Sequence, residues 1–290
     1  MHLIKTIPKL KSRKADAHKG DFGKVCIIAG SIGMSGAAAI AGRAALRAGA
    51  GLVRVATPKS VLPIVASIEP SFTTVPLPED NTGKIAAGAV NIILNLISEN
   101  DCFAFGPGVG VAHGACLVLQ RLLEQKGLRL VIDADGLNNL SKINDWPQIT
   151  SHESRATGLI LTPHPGEMKR LWAGLFRKPL PADRRSQAIE LANKTKTVVV
   201  LKGAGTVVAD GEKVYVNNTG NPGMATAGAG DVLTGVISAM MGQGLDNFDA
   251  AVLGVYVHGL AGDIAAKKMG QISLIATDII ESLGEAFKKI

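Results

Sequence analysis

The sequence predicts an α/β fold with a mostly parallel central sheet and helices on both of its faces. Short apolar runs typical of buried strands alternate with segments of helical periodicity along most of the chain. The strands run into loops rich in glycine, proline, acid or histidine, as is typical of the ligand-binding edge of such a sheet. Because no repeat of about 20–50 residues and no long linker interrupts this order, residues 1–290 are predicted to form one domain.

The predicted elements mostly follow one another in strand–helix order. Buried strands are expected at 25–29, 52–56, 101–105, 129–132, 158–161 and 197–201. Helices are expected at 37–48, 61–67, 88–97, 114–125, from 136, at 166–172 and 184–195, and from 230 onward. Strands at 206–209 and 213–216 flank Asp210-Gly211, a strong hairpin signal that predicts a mixed edge of the sheet. The polar residues 141–157 are predicted to form a surface loop.

Composition argues against several classes of protein. A chain of 290 residues with 47% hydrophobic and 19% charged residues is not a disordered one. Its three cysteines contain no CxxC pair, so reduced thiols in a cytoplasmic protein are expected. No apolar run reaches the roughly 18 residues of a membrane span, so no membrane partner is expected. The net charge of +7 would suit nucleic acid, but 4% aromatic residues leave few stacking surfaces, so none is expected.

Five loops that follow predicted strands are expected to meet at one edge of the sheet: 30–36, 106–110, 133–136, 162–167 and 202–206. The first of them is not a dinucleotide fingerprint. Its spacing is GxxGxxG, and the next strand ends in Ala56-Thr57-Pro58 without an acid to hold a ribose. A Walker A sequence is also absent, so a bound nucleotide would be held in another way.

The stretch Asn221–Asp231 carries the strongest single signal. Its small residues, Gly228, Ala229 and Gly230 among them, let backbone N–H groups surround an anion where a helix begins. Asp231 at that helix start is either a simple N-cap or a base that accepts a hydroxyl proton during phosphoryl transfer. The surrounding glycines favour the anion-binding, catalytic interpretation.

His164, Asp133 and Asp135 each admit a structural and a functional interpretation. His164 is flanked by two prolines and either caps a helix or contacts a ligand, with contact favoured. Asp133 and Asp135 either cap a helix or face a Mg²⁺-bound phosphate, and their sequence context does not decide between these roles.

Three further features of the sequence also have two interpretations. Lys202 either binds phosphate or begins a backbone wall against a nucleotide. His18–Gly23 is a glycine-rich turn of undecided role, and His258 is expected to pack in the core. The basic residues between Lys9 and Lys24 are expected to form a solvated arm or a field that attracts phosphorylated ligands.

Taken together, these motifs resemble the ADP/ATP-dependent NAD(P)H-hydrate dehydratases of the ribokinase-like superfamily. The most specific parts are TPHPGE at 162–167 and GNPGMATAGAGD at 220–231. The resemblance implies a three-layer sandwich. It also implies repair of NADH or NADPH hydrated at C6 of the nicotinamide ring, a hydro-lyase reaction. ADP or ATP would phosphorylate the C6 hydroxyl, and loss of phosphate would restore the ring double bond.

The resemblance also implies roles for individual positions. Asp231 would be the base, and backbone N–H groups of Ala227–Gly230, with Gly228, Ala229 and Gly230 among them, would hold the transferring phosphate. The remaining implied contacts fall into three groups: AMP with Lys202, Gly203, Ala204, Gly205, Thr206 and Gly230; the hydrated dinucleotide with Ala37, Gly108, His164 and Asp231; and Mg²⁺, through water, with Asp133 and Glu167. A homotetramer is implied as well, and the epimerase that relatives carry as an additional domain is expected to be a separate protein.

Two other functions remain open from the sequence. A small-molecule kinase of the same superfamily, such as a hydroxyethylthiazole-type kinase, would share the glycine turn and Asp231. A catalytically silent nucleotide-binding protein would share the pocket, although it would have no need for the base. The sequence decides neither between ADP and ATP nor between hydrated NADH and hydrated NADPH.

Overall fold

One ten-stranded sheet organises the computed structural model, which describes residues 2–151 and 158–290. In chain order its strands are β1 His2–Ile4, β2 Lys24–Ile28, β3 Leu52–Pro58, β4 Thr73–Leu77, β5 Cys102–Phe105, β6 Arg129–Ile132, β7 Gly158–Leu161, β8 Val198–Leu201, β9 Val207–Ala209 and β10 Lys213–Val216. Their spatial order is β1-β10-β9-β8-β7-β6-β5-β2-β3-β4. All neighbouring pairs are parallel except β8–β9 and β9–β10, which confirms the mostly parallel sheet with a mixed region.

Helices cover both faces of this sheet and complete three layers. They are α1 Ser35–Arg47, α2 Leu62–Ile68, α3 Ala89–Asn95, α4 His113–Leu123, α5 Asp135–Leu140, α6 Trp146–Ser151, α7 Pro165–Leu175, α8 Arg184–Thr195, α9 Ala229–Gly242, α10 Asn247–Met269 and α11 Ala276–Phe287. Buried residues of α1, α9, α10 and α11 share one apolar core with the sheet, and those of α3 to α8 share the other.

Small residues allow α1 and α9 to pack closely, and this fixes the start of α9. A Cβ on Gly235 would overlap with the carbonyl oxygen of Ala41, and it would lie 2.8 Å from the Cβ of Ala44. The alanine-rich sequence of α1 therefore serves a helix–helix contact as well as helix propensity. Because α9 begins at the carboxyl edge of the sheet, this contact also holds the glycine-rich turn in place.

The predicted hairpin is confirmed at Asp210-Gly211. The Asp210 carboxylate accepts hydrogen bonds from the backbone N–H groups of Glu212 (2.9 Å) and Lys213 (2.7 Å). The turn therefore brings β10 back antiparallel to β9.

Several predicted elements need correction. The edge strands β1 and β4 were not predicted, because they are short and partly exposed and lack a clear apolar alternation. Residues 141–157 are not wholly a loop, since α6 lies within them and its Trp146 is 2% exposed. The remainder of that segment, residues 152–157, lies outside the described residues. The helical region after 230 divides into α9, α10 and α11.

The helix α10 also differs from what the sequence suggested about membranes. It has 23 residues and an 18-residue window of mean hydropathy 1.2, so by length and composition alone it is long enough to cross a membrane. However, 72% of that window is buried inside the protein. Its apolar surface therefore serves the core beside α9 and α11.

Candidate active site

Backbone and side-chain hydrogen bonds join the loops at the carboxyl ends of the strands. The Gly30 N–H donates to the carbonyl of Pro107 (2.8 Å), and the Ser31 hydroxyl donates to the carbonyl of Gly108 (2.7 Å). On the other side, the Lys202 N–H donates to the carbonyl of Pro163 (2.9 Å). The loops that the sequence placed at one edge therefore do meet there.

Asp231 differs from Asp133, Asp135 and Glu167 at this edge in the hydrogen bonds that its carboxylate accepts. The N-cap of α9 is Gly228, in the left-handed conformation at φ 86°, and no side chain caps the helix. No residue in the described part of the chain donates a hydrogen bond to the half-buried Asp231 carboxylate. These observations exclude the N-cap role and leave a carboxylate free to accept a proton from a ligand.

The surroundings of Asp231 raise its pKa toward neutral pH. Burial and the nearby Asp133 carboxylate raise its pKa to about 7, while the Lys202 ammonium opposes the shift. A carboxyl with such a pKa can both take up and release a proton near neutral pH, as general acid–base catalysis requires.

A buried ion pair lies directly below the start of α9. Asp133 is 1% exposed, and its Oδ1 accepts a hydrogen bond from Lys202 Nζ at 2.5 Å. Its Oδ2 accepts a hydrogen bond from the Thr234 hydroxyl at 2.6 Å, one turn after Asp231. A Cβ on Gly230 would lie 3.5 Å from Lys202 Nζ, so the pair touches the turn itself. The Asp133 carboxylate therefore joins α9, through Thr234, to the loops after β6 and β8.

The segment Thr162-Pro-His-Pro-Gly-Glu167 forms the start of α7. His164 Nδ1 accepts hydrogen bonds from the N–H groups of Gly166 (2.9 Å) and Glu167 (3.4 Å), and Glu167 Oε2 accepts one from the His164 N–H (2.8 Å). His164 is thus a helix cap, although its half-exposed ring remains accessible from the loop edge. Burial, together with the Lys202 charge, lowers its pKa.

Glu167 is a buried acid held between two partners. Its side chain is 5% exposed, and its Oε2 lies 3.8 Å from Lys202 Nζ. Burial raises the pKa of Glu167 to about 7. Like Asp133, this carboxylate already has partners within the protein.

Direct metal ligation is not evident at this edge. Within residues 2–151 and 158–290, no group of three or more His, Cys, Asp or Glu side chains could hold a metal ion. Both oxygens of Asp133 are occupied, and Asp135 gives its two oxygens to the N–H of Gly110 (3.0 Å) and the amide of Asn138 (3.2 Å). The residues suit a Mg²⁺ ion that keeps its waters and binds mainly to phosphates.

Ala37 and Gly108 lie side by side in the structure. A Cβ on Gly108 would lie 3.0 Å from the Cβ of Ala37 and 2.9 Å from the Cβ of Met34. The first turn of α1 and the loop after β5 therefore form one continuous surface.

A cavity of 560 Å³ opens beside the start of α9. One wall is the loop Lys202–Thr206, and Gly230 adjoins it. The opposite wall contains Asn217–Pro222 and His258. A volume of this size suits a nucleotide, since small-molecule sites occupy roughly 300–1,000 Å³.

One residue of this cavity was misjudged from the sequence, and one residue that supports its wall was missed. His258 does not pack in the core but is half-buried on the cavity wall, where its Nε2 lies 2.9 Å from the Ala229 carbonyl. Burial lowers the pKa of His258 to about 4, so the ring is neutral and donates this hydrogen bond. Arg184 was not singled out, yet its guanidinium donates to the carbonyls of Leu201 and Lys202 at 2.9 Å and also to Ala204.

Arg184 shapes the loop that forms the cavity wall. Its contacts turn several carbonyls of residues 201–205 toward the guanidinium, so the loop presents its other face to the cavity. No motif marks this residue in the sequence, because it begins a helix 17 residues before its partner Leu201.

Comparison with known proteins shows which family has this sequence and fold. A model of NAD(P)H-hydrate dehydratases matches residues 25–284. The chain belongs to this family. Its central sheet and helical layers are ribokinase-like.

Individual relatives agree with this assignment. An ADP-dependent (S)-NAD(P)H-hydrate dehydratase of Xanthomonas campestris is 35% identical over 94% of this chain and 92% of its own length. A bifunctional NAD(P)H-hydrate repair enzyme of Moorella thermoacetica is 43% identical over 95% of this chain but only 51% of its own length. The chain thus spans about half the length of the first curated relatives it matches. The crystal structure of the ADP/ATP-dependent dehydratase of Bacillus subtilis, co-crystallized with ATP/Mg²⁺, has a TM-score of 0.81 at 29% identity and covers 97% of this chain and 94% of its own.

Proposed function

We propose that the protein restores NADH or NADPH from the hydrated form by nucleotide-dependent dehydration, as a hydro-lyase. The observation that carries this proposal is the free, half-buried Asp231 carboxylate at the uncapped, glycine-rich start of α9, next to a cavity of nucleotide size. A helix start of this kind attracts phosphate, and a free carboxylate beside it can take a proton from an attacking hydroxyl.

The proposed reaction has two balanced steps. Asp231 accepts the proton of the C6 hydroxyl while the hydroxyl oxygen attacks the terminal phosphorus of ADP or ATP. The bond from that phosphorus to the bridging oxygen breaks, and AMP or ADP is released. The C6–O bond then breaks with its electron pair on phosphate, C5 loses its proton to the departing phosphate or to water, and the electrons of the C5–H bond restore the C5–C6 double bond. Phosphate is a far better leaving group than hydroxide at neutral pH, which explains the need for a nucleotide.

The residues around Asp231 divide the binding work. Backbone N–H groups of Gly228, Ala229 and Gly230 would hold the transferring phosphate, because the first N–H groups of a helix have no partner within it. The other contacts we propose are those of the AMP part with Lys202, Gly203, Ala204, Gly205, Thr206 and Gly230, and those of the hydrated dinucleotide with Ala37, Gly108 and His164. Lys202 would contribute to the nucleotide site through its backbone, since its ammonium is paired with Asp133.

Mg²⁺ belongs to the proposal as a companion of the nucleotide. It would neutralise the phosphate charge, while Asp133 and Glu167 would reach it only through water. We further propose an ADP donor, a homotetramer, a cytoplasmic location consistent with the buried thiols of Cys26 and Cys102, and an epimerase activity supplied by a separate protein. Sedimentation analysis of the purified protein would test the tetramer.

A repair assay tests the proposed function. The purified protein is incubated with hydrated NADH or NADPH, Mg²⁺ and either ADP or ATP, and the absorbance of the dihydronicotinamide ring is followed. We expect recovery only when nucleotide is present, and the faster donor identifies the natural one. No recovery with either donor from protein that binds nucleotide would favour a kinase with another acceptor alcohol. A phosphorylated product that accumulates would do the same.

A further inference from the structure

The loop between β2 and α1 holds two large apolar side chains in solvent. Ile32 is 61% exposed and Met34 is 52% exposed. The loop is nevertheless well anchored, because the Ile32 N–H donates to the carbonyl of Gly83 (3.2 Å) and the Met34 N–H to the carbonyl of Ser31 (2.8 Å). Ile32 and Met34 therefore present apolar surface to solvent from a backbone that hydrogen bonds hold in place.

Both side chains adjoin the surface proposed for the dinucleotide. The Met34 Cβ would lie 2.9 Å from a Cβ on Gly108. The side chain of Ile32 lies directly on Gly83, where a Cβ would overlap with it. Ile32 therefore has support beneath it and an open outer surface.

Lys84 adds a positive charge beside Ile32 and Met34, and we call the surface formed by these three side chains the rim. The aliphatic stem of Lys84 crosses Gly110, with Cδ and Cε each 2.9 Å from the position of a Cβ there. The residue is half-buried, and no carboxylate among the described residues lies within 4.0 Å of its ammonium. The nearby Asp80 carboxylate accepts the Lys84 backbone N–H (3.2 Å) and attracts the ammonium from a longer distance. The rim thus combines apolar side chains with a cation whose ammonium makes no direct ion pair within the part of the chain that the structure describes.

We propose that Ile32, Met34 and Lys84 bind the adenosine half of the hydrated dinucleotide, with the base on the two apolar side chains and a phosphate group beside the lysine. This inference rests on the proposed function and extends it to substrate recognition. Two side chains offer far less area than the roughly 800 Å² per partner of a stable protein interface, so a ring system suits the surface better. The phosphate is either the pyrophosphate of both substrates or the 2′-phosphate that only the NADPH form carries.

The variant Lys84→Met tests the charge while keeping the stem over Gly110. We expect it to raise KM by about tenfold or more, as for a lost charged hydrogen bond, with kcat nearly unchanged. A rise for hydrated NADPH alone assigns the 2′-phosphate, and a rise for both substrates assigns the pyrophosphate. An unchanged KM for both overturns the role of Lys84.

The variants Ile32→Ser and Met34→Ser test the apolar surface. Each should raise KM for the hydrated dinucleotides about threefold to tenfold and leave KM for the nucleotide donor unchanged. Hydrated reduced nicotinamide mononucleotide lacks the adenosine, so its KM should be the same for these variants and the wild type. The control is Leu3→Ser, since Leu3 is 51% exposed on the distant edge strand β1. An equal loss with the mononucleotide, or a changed sedimentation coefficient, would refute the proposed base contact.

A binding measurement separates failure of this proposal from failure of the proposed function. Calorimetry with NADPH, the unhydrated product, needs no turnover. If the wild type repairs hydrated cofactor but the variants bind NADPH as the wild type does, the rim is wrong and the function stands. If the wild type repairs nothing, yet the Lys84→Met and Ile32→Ser variants bind NADPH more weakly than the wild type does, the rim stands and the proposed function is wrong.

Discussion

Gly230 at the carboxyl end of the sheet and Gly51 at its amino end differ in how closely their surroundings pack. At the carboxyl end, a Cβ on Gly230 would meet Lys202 Nζ at 3.5 Å and Asp133 Oδ2 at 3.8 Å, which are ordinary van der Waals distances. At the amino end, a Cβ on Gly51 would overlap with the carbonyl oxygen of Lys19, in the motif His18–Gly23. One glycine leaves room above the backbone, and the other fills a contact between two chain segments.

Polar groups separate the two ends as clearly as the glycines do. In the motif at the amino end, the His18 N–H donates to Asp21 Oδ2 (2.9 Å), and the Arg13 guanidinium stacks on Phe22 at 3.8 Å from the ring centroid. At the carboxyl end, Asp231 has no hydrogen-bond donor among the described residues. Glycine clusters alone therefore do not mark a site; a free, half-buried charge next to them does.

The largest expected effect comes from a substitution at the carboxyl end of the sheet that removes the proposed base and keeps the fold. Asp231→Asn should lower kcat by about 10²–10⁴, the usual contribution of a positioned base, while nucleotide affinity stays within about twofold. Steady-state repair kinetics and calorimetry with ADP measure the two quantities. Asp246→Asn is the matched control, because Asp246 caps α10 far from the site and asparagine caps equally well. Turnover of Asp231→Asn within tenfold of wild type would exclude Asp231 as the base.

The second effect comes from a substitution at the amino end of the sheet that lowers stability and leaves turnover unchanged. Gly51→Ala should destabilise the protein by roughly 1–3 kcal/mol or more, because the added Cβ overlaps a backbone carbonyl. Gly284→Ala is the same substitution in the exposed part of α11, where a Cβ meets nothing within 4 Å, so it should stabilise by up to about 1 kcal/mol. Denaturant unfolding measures both, and soluble Gly51→Ala should keep wild-type kcat. Equal stabilities of the two variants would contradict the packing role.

Much of the fold followed from local sequence patterns. The buried strands such as Val198–Leu201 are continuous apolar runs, and Asp210-Gly211 fixes its own hairpin through local hydrogen bonds. The edge strands β1 and β4 escaped prediction, because edge strands are short and need little burial.

The candidate site divides along the same line. The motifs located the turn at Asp231 and the loop after Lys202, since glycine spacing is a local feature. The pair of Lys202 and Asp133 joins residues 69 positions apart, and His258 reaches Ala229 across 29 positions. Such contacts depend on how helices pack on the sheet, and no local pattern specifies them.

The smallest expected effect concerns pH and sharpens the contrast between the ends. With its pKa raised from 3.8 to about 7, folded Asp231 still holds its proton at pH values where the unfolded chain has lost it. The folded state then binds more protons than the unfolded state, so this group makes stability fall as pH rises from about 4 to about 7. A base kept in a half-buried site thus costs stability under working conditions.

Asp231→Asn removes that penalty, so its melting temperature should exceed that of the wild type by a few degrees at pH 8 and by almost nothing near pH 4. Taking the difference between the two proteins cancels the titrating groups that do not interact with Asp231. Asp133 and Glu167 do interact with it, so the difference reports Asp231 together with these two carboxyl groups. Scanning calorimetry from pH 4 to pH 8 measures it. A difference that does not grow with pH would mean that Asp231 is already ionised in the folded protein at low pH, and that burial does not hold this carboxyl ready for proton transfer.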